Sequence, residues 1–359
     1  MAGGALEDQD AVDRAFGSEN RNRLINKYFG ANGGREIDTA NAWQHVYRLL
    51  LWSDPTTGLA HCYESDKCQP GEPWYGRSLA FHDWLSRALS VDPATLAQEI
   101  DWLFIAVCAD LSAVELRKEG ALALRAAQQR QPYDGRDFPE PGVDVELTGL
   151  IRAGLESHLL DDPPAETWHI ISQKIHQYLA VQNKRKNLVG EGFEDVLAQM
   201  VKRARALPEE QVFTRSLLYE IPGFNRARTG GKPNKVDLAI VRPGMRTLVT
   251  AKWSVRADRE KQFQTEFEEY CSAESENQKF KYVFVTNEFD PARLKRACES
   301  LARNNLMFDH VVHINTDALR AAYTPLQNEK SHTAGSRREV IEYIDSGRLI
   351  SLEQWLAGL

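Results

Sequence analysis

Apolar residues recur at intervals of three and four through AVDRAF, NAWQHVYRLLLW, RSLAFHDWLSRAL, PATLAQEIDWLFIAVCADL and TWHIISQKIHQYLAV. That spacing lines one face of an α-helix, so the chain from about residue 10 to about residue 205 is expected to be mostly helical, with no period-two strand standing out. The stretches SDPTTGLAHCYESDKCQPGEPWYG and QQRQPYDGRDFPEPGVD interrupt the pattern with Pro, Gly and Asp, residues that end helices and favour turns. After about residue 210 the texture changes to short β-branched runs, VFTRSLLYEI, KVDLAIV, RTLVTAKWS, KYVFVTN and HVVHIN, alternating with polar helical stretches.

These patterns predict a mostly helical N-terminal domain over residues 1–140, a helical connection over 141–184, and an α/β domain over 185–359. KVDLAIV and TLVTAKWS are separated only by the turn RPGMR, which predicts an antiparallel hairpin in the middle of a mixed sheet. KYVFVTN and HVVHIN flank the helical stretch PARLKRACESLARN, which predicts a parallel crossover in the other half of that sheet. The expected class is α/β (α+β), a central mixed β-sheet flanked by helices.

Composition narrows the partners. At 359 residues, 42% hydrophobic and 26% charged, the chain has the proportions of a soluble globular protein. The formal net charge is −7, from 51 acidic and 44 basic residues, so any surface for a polyanion must be local. Five scattered cysteines do not resemble a disulfide framework. The start MAGGALEDQDAVDRAF lacks the basic-then-apolar order of a secretion signal, and no apolar run approaches membrane-spanning length. A cytoplasmic protein without a membrane partner is expected. GxSxG, HExxH and GxxxxGK[ST] patterns are missing from the sequence, which leaves acyl-hydrolase, zinc-protease and NTPase chemistry without support. His61, Cys62, Cys68 and His82 have the wrong spacing for a zinc knuckle, and Trp74, Tyr75 and Arg77 are expected to pack a loop onto the helices.

The chemistry concentrates in the hairpin. Asp237 on one strand and Lys252 near the end of the next would be brought side by side. Phosphodiester hydrolysis needs carboxylates for a divalent cation and a positive group beside the attacking water. The hairpin KVDLAIV–RPGMR–TLVTAKWS resembles the metal-binding core of the PD-(D/E)xK nuclease superfamily, except that the residue two before the lysine is Thr250. The order Lys252, Arg256, Asp258, Arg259, Glu266 resembles the branch of type II restriction endonucleases that recognise CCGG or interrupted CC/GG sites. There the acidic residue has migrated to the following helix, leaving a small polar or neutral residue on the strand. With a helix beginning near Val255, helical periodicity places Arg259, Phe263, Glu266 and Tyr270 on adjoining turns of one face, which turns Glu266 back to the sheet and Glu268 and Glu269 away from it.

The resemblance implies a restriction-endonuclease-like catalytic domain over 185–359, cutting double-stranded DNA with Mg²⁺, for which Mn²⁺ can substitute, and leaving 5′-phosphate ends. Asp237 and Glu266 would hold the metal, Lys252 would assist the water, and a further carboxylate is expected from the preceding helix. GEGFE resembles the start of that helix, and Glu194 is preferred to Glu191 there; both also suit a helix N-terminus on electrostatic grounds alone. Arg256, Asp258 and Arg259 would read C:G pairs, since a guanidinium bonds guanine O6 and N7 and a carboxylate accepts from cytosine N4. Arg226, Arg228, Lys232 and Lys235 are candidates for DNA phosphates. A palindromic target implies a homodimer or higher homo-oligomer, and a restriction role implies a cognate DNA methyltransferase. The alternatives are a sequence-specific DNA-binding protein with a lapsed nuclease site and a repair or recombination nuclease.

Overall fold

The computed structural model describes residues 14–54, 58–60, 65–72, 74–110, 131, 144–155, 158, 161, 163–208, 211–226, 235–255, 260–324 and 334–359. It is an α+β protein whose six-stranded mixed sheet is flanked by helices. Among the described residues no helix is long and apolar enough to cross a membrane, and Cys271 and Cys298 are free thiols.

The chain divides into two compact units along lines that do not follow the three consecutive segments expected from the sequence. One gathers the described residues of Met1–Phe16 and Cys108–Leu188; the other joins Gly17–Val107 to Val189–Leu359. Within the first, His176 bonds Asp144 at 3.1 Å and the Arg152 guanidinium lies 5.1 Å from the Trp168 ring. The second holds the sheet, and with it helices α1 (Ser18–Ala31), α2 (Ala42–Leu50) and α3 (Tyr75–Leu89). These helices complete its core because their apolar stripes meet the sheet's outgoing loops. Phe81 packs edge-on against Phe289 at 4.9 Å, and the Tyr47 hydroxyl donates to Asn287 at 2.9 Å. Trp74 and Arg77, at the start of α3, are buried in this packing.

Helix α4 (Val145–Leu155) is followed by α5 (Ala165–Arg205), which runs straight through the GEGFE segment. The expectation of a helix start there is corrected. Gly190 and Gly192 lie inside the helix, so Glu191 and Glu194 are not at an N-terminus and the end of the helix dipole does not account for them. A Cβ on Gly192 would meet Leu103 and Leu50 at 3.3 and 3.4 Å, so the glycine serves close packing rather than helix initiation.

The sheet runs β1 (Val212–Leu217), β2 (Lys235–Arg242), β3 (Met245–Lys252), β4 (Phe280–Thr286), β7 (His310–His313) and β8 (Leu349–Ser351). Its first three strands are antiparallel and the rest parallel, which is the mixed arrangement and the central hairpin expected. The hairpin closes at Pro243–Gly244, where glycine takes φ +72°, a left-handed value costly for other residues. Between β3 and β4 lies α6 (Glu260–Ala273), and between β4 and β7 lies α7 (Pro291–Glu299) with a two-stranded ribbon, β5 (Leu301–Ala302) and β6 (Asn305–Leu306). The ribbon replaces the last helical turn expected over SLARN. Arg303 and Asn304 adopt φ of 51° and 66°, and two consecutive left-handed residues make a tight hairpin turn instead of helix. After β7 come α8 (Thr316–Tyr323), α9 (Ala334–Asp345), β8 and α10 (Leu352–Ala357).

Candidate active site

The site begins where the hairpin opens. Registered pairs between β2 and β3 run from Arg242 opposite Met245 to Leu238 opposite Val249 and end there, although both strands continue. Beyond that point β2 stays with β1 and β3 with β4, leaving a fork. Asp237 fills it. Its Oδ2 accepts from the Ala251 amide at 2.8 Å, an amide the divergence of the strands would otherwise strand, from the Thr250 hydroxyl at 3.3 Å and from the Lys252 ammonium at 2.6 Å. Among the described residues none bonds Oδ1. Thr250 thus orients Asp237, a role its hydroxyl can fill although it lacks a carboxylate.

Glu266 arrives from α6, and an aromatic layer fixes its direction. Phe263, Phe267 and Tyr270 pack on Phe280, Tyr282, Phe284 and Phe308, with ring centroids 5.3 Å apart for Phe263 and Phe284 and 5.5 Å for Tyr270 and Tyr282. On the next turn of that face Glu266 accepts from Gln262 at 2.7 Å and from the buried Tyr282 hydroxyl at 3.4 Å. Glu268 points elsewhere and pairs with Arg303 at 2.6 Å. The helical-face argument therefore holds for Phe263, Glu266, Tyr270 and Glu268, while Arg259 lies outside the described residues.

Glu194 comes from α5, held against the fork by Phe193, whose ring meets Trp253 edge-on at 5.3 Å. Glu194 is buried, whereas the Glu191 side chain is 59% exposed and pairs with Arg21 at 2.8 Å. Glu194 couples electrically to the hairpin. Burial, then the charge of Asp237, push its carboxyl up to about 7 against the pull of Lys252 and Arg215. Glu266 is raised for the same two reasons, in the same order. Burial works to lower the Lys252 pKa, yet the charge of Asp237, its hydrogen bond, and the charges of Glu194 and Glu266 hold it above its ordinary value. The ammonium is the shared counter-charge of three carboxylates.

Arg256, Asp258, Arg259, Arg228 and Lys232 lie outside the described residues. Arg226 is exposed with its guanidinium 5.6 Å from the Tyr219 ring centre, and Lys235 is exposed at the start of β2. The sequence reading missed Arg215, Asp195, Arg21 and Tyr282. An arginine within a β-branched run was the one available signal, and it acquires meaning only once the fold carries the Arg215 side chain to Glu194 and Asp195.

Hard carboxylate oxygens are the donors that Mg²⁺ and Mn²⁺ favour, and Asp237, Glu194 and Glu266 supply them around the open Oδ1. Among the described residues no three His, Cys, Asp or Glu side chains already stand close enough to cage a metal. The donor types fit a divalent cation, while the three carboxylates stand apart and would have to close on it. No family model and no curated protein matches the chain.

Proposed function

We propose that the protein is a Mg²⁺-dependent endonuclease of the type II restriction kind, cutting double-stranded DNA at a C:G-containing palindrome. The observation that carries this reading is the fork itself: a buried-side Asp237–Lys252 pair at 2.6 Å, with Glu194 and Glu266 facing it from two different helices. A purely structural ion pair has no need of two further carboxylates whose charge it must offset.

In this reading Asp237 and Glu266 hold Mg²⁺ with Glu194 as the further carboxylate, and the ion supplies Lewis-acid charge at the scissile phosphate. Lys252 stays protonated, hydrogen-bonds the attacking water and stabilises negative charge growing on the phosphate oxygens. Thr250 and the Ala251 amide hold Asp237 through Oδ2, which would leave Oδ1 for the metal. The products are a 5′-phosphate and a 3′-hydroxyl. Arg256, Asp258 and Arg259 read the C:G pairs, exposed Arg226 and Lys235, with Arg228 and Lys232, meet phosphates, and two copies bind the two half-sites. A cytoplasmic setting with a partner methyltransferase belongs to the same proposal.

A second reading, a DNA-binding protein whose metal site has lapsed, draws on Thr250 and on the carboxylates that remain apart. One digest separates the two. Phage DNA incubated with the protein and Mg²⁺ yields discrete fragments whose sequenced ends give site and stagger. Binding without cleavage in Mg²⁺ or Mn²⁺ favours the lapsed site, and nicking without sequence preference favours a repair nuclease.

A further inference from the structure

Arg215 stands at the centre of a network of charged side chains in the second unit. One guanidinium nitrogen donates to Glu194 at 3.2 Å and to the Glu191 carbonyl at 3.1 Å, and the other to Asp195 at 2.5 Å. Asp195 is buried and its second oxygen accepts from Arg21 at 2.7 Å. The chain Arg21–Asp195–Arg215–Glu194 thus alternates in charge and ends on a carboxylate of the site.

The backbone carries an independent mark. Arg215 has φ +49° in the middle of β1, where Thr214 pairs with Leu238 and Ser216 with Val236 but Arg215 and Asp237 do not register. A left-handed, non-glycine residue inside a strand is strained, and such strain persists where the surroundings over-determine it. Regular β geometry would aim this side chain alongside Asp237; the twist instead swings it to α5. Glycine would fit the backbone without strain, so the side chain explains why the position is not glycine.

We propose that Arg215 is a positioning residue for the nuclease site: it clamps Glu194 in place, and Asp195 with Arg21 clamps Arg215. This rests on the nuclease reading. Glu194 has a long, freely rotating side chain, and a single arginine bridging it to its fixed neighbour Asp195 removes that freedom before the metal arrives. Lysine at 215 would keep the charge but has no planar fork to span two carboxylates.

The test uses the full chain, plasmid cleavage in Mg²⁺, and calorimetric titration with Mn²⁺ alone. Arg215→Gly and Arg215→Lys are each expected to cut about 10- to 100-fold more slowly and to bind Mn²⁺ at least about 10-fold more weakly, the range for residues that orient metal ligands. Glu194→Gln is expected to show comparable losses, and adding it to either Arg215 variant to deepen neither, because both act through one carboxylate. Arg215→Lys carries the test if the glycine variant does not fold. Wild-type cleavage and Mn²⁺ affinity in Arg215→Lys, or losses that multiply in the double variant, overturn the clamp while leaving the nuclease reading intact. A wild-type protein that neither cuts DNA nor binds Mn²⁺ overturns both.

Discussion

The loop that follows β4 and the fork between β2 and β3 each bury a glutamate beside an arginine, and they do so in opposite ways. Glu288 receives the backbone amides of Val255, Phe289 and Asp290 at 2.7, 2.9 and 2.8 Å, with Arg293 at 3.5 Å. Burial raises its pKa, while the amides and Arg293 pull back. Among the described residues Glu194 has one hydrogen-bond donor, Arg215 at 3.2 Å, and its second largest influence is the like charge of Asp237. A buried carboxylate saturated by backbone donors fixes a loop, here the one leaving Lys252. A buried carboxylate beside another carboxylate, with little backbone support, is the kind of group the proposed metal site would use.

Asp237→Ala tests the fork most severely. Cleavage is expected to vanish while specific DNA binding, measured by gel shift, survives; persistent cleavage would move the metal site elsewhere. Glu288→Ala leaves three buried amides unpaired and is expected to cost about 3 kcal/mol of stability, seen in urea denaturation. At pH 5 Glu194→Gln is expected to shift stability by less than about 1 kcal/mol, while at cleavage pH it slows cutting up to about 100-fold. If the two glutamates behave alike in both assays, the contrast between them fails.

The pH dependence follows from the same contrast. The folded-state pKa of Glu194, about 7, lies above its ordinary value near 4.5. The stability this group contributes is therefore complete below that ordinary value and is lost as pH rises through 7. In EDTA, wild type should lose stability relative to Glu194→Gln across that window by at most about 1.4 kcal/mol per pH unit. Parallel urea midpoints at pH 5 and pH 8 would show that Glu194 ionises freely. The smallest effects concern α5. A Cβ on Gly190 meets nothing within 4 Å, so Gly190→Ala should gain about 0.8 kcal/mol of helix propensity. Gly192→Leu should instead lose stability and cleavage together, because it pries the helix bearing Glu194 off Leu50 and Leu103.

The hairpin, the parallel crossover and the inward turn of Glu266 were legible because each follows from local spacing: a turn between two short runs, or residues three and four apart on a helix. The long α5 was misread because GEGFE resembles a helix start, whereas Gly192 lies inside the helix and is explained only by Leu50 and Leu103, distant in sequence. Arg215 and Asp195 escaped for the same reason. Their partners lie across a sheet register and on another helix, and nothing in VFTRSL or GFEDV announces a pairing between them. The grouping of residues 17–107 with the sheet was equally hidden, since amphipathic helices do not declare which surface they will cover.

That grouping bears on how the protein is made. Leaving the ribosome, α1, α2 and α3 present Tyr47 and Phe81 well before Asn287 and Phe289 exist, and Arg21 before Asp195. The early helices must therefore wait, apolar faces open, through the synthesis of some two hundred further residues. The order of emergence therefore delays the support of the fork, because the helices that pack beneath it gain their partners only after β4 and the loop that follows it have been made.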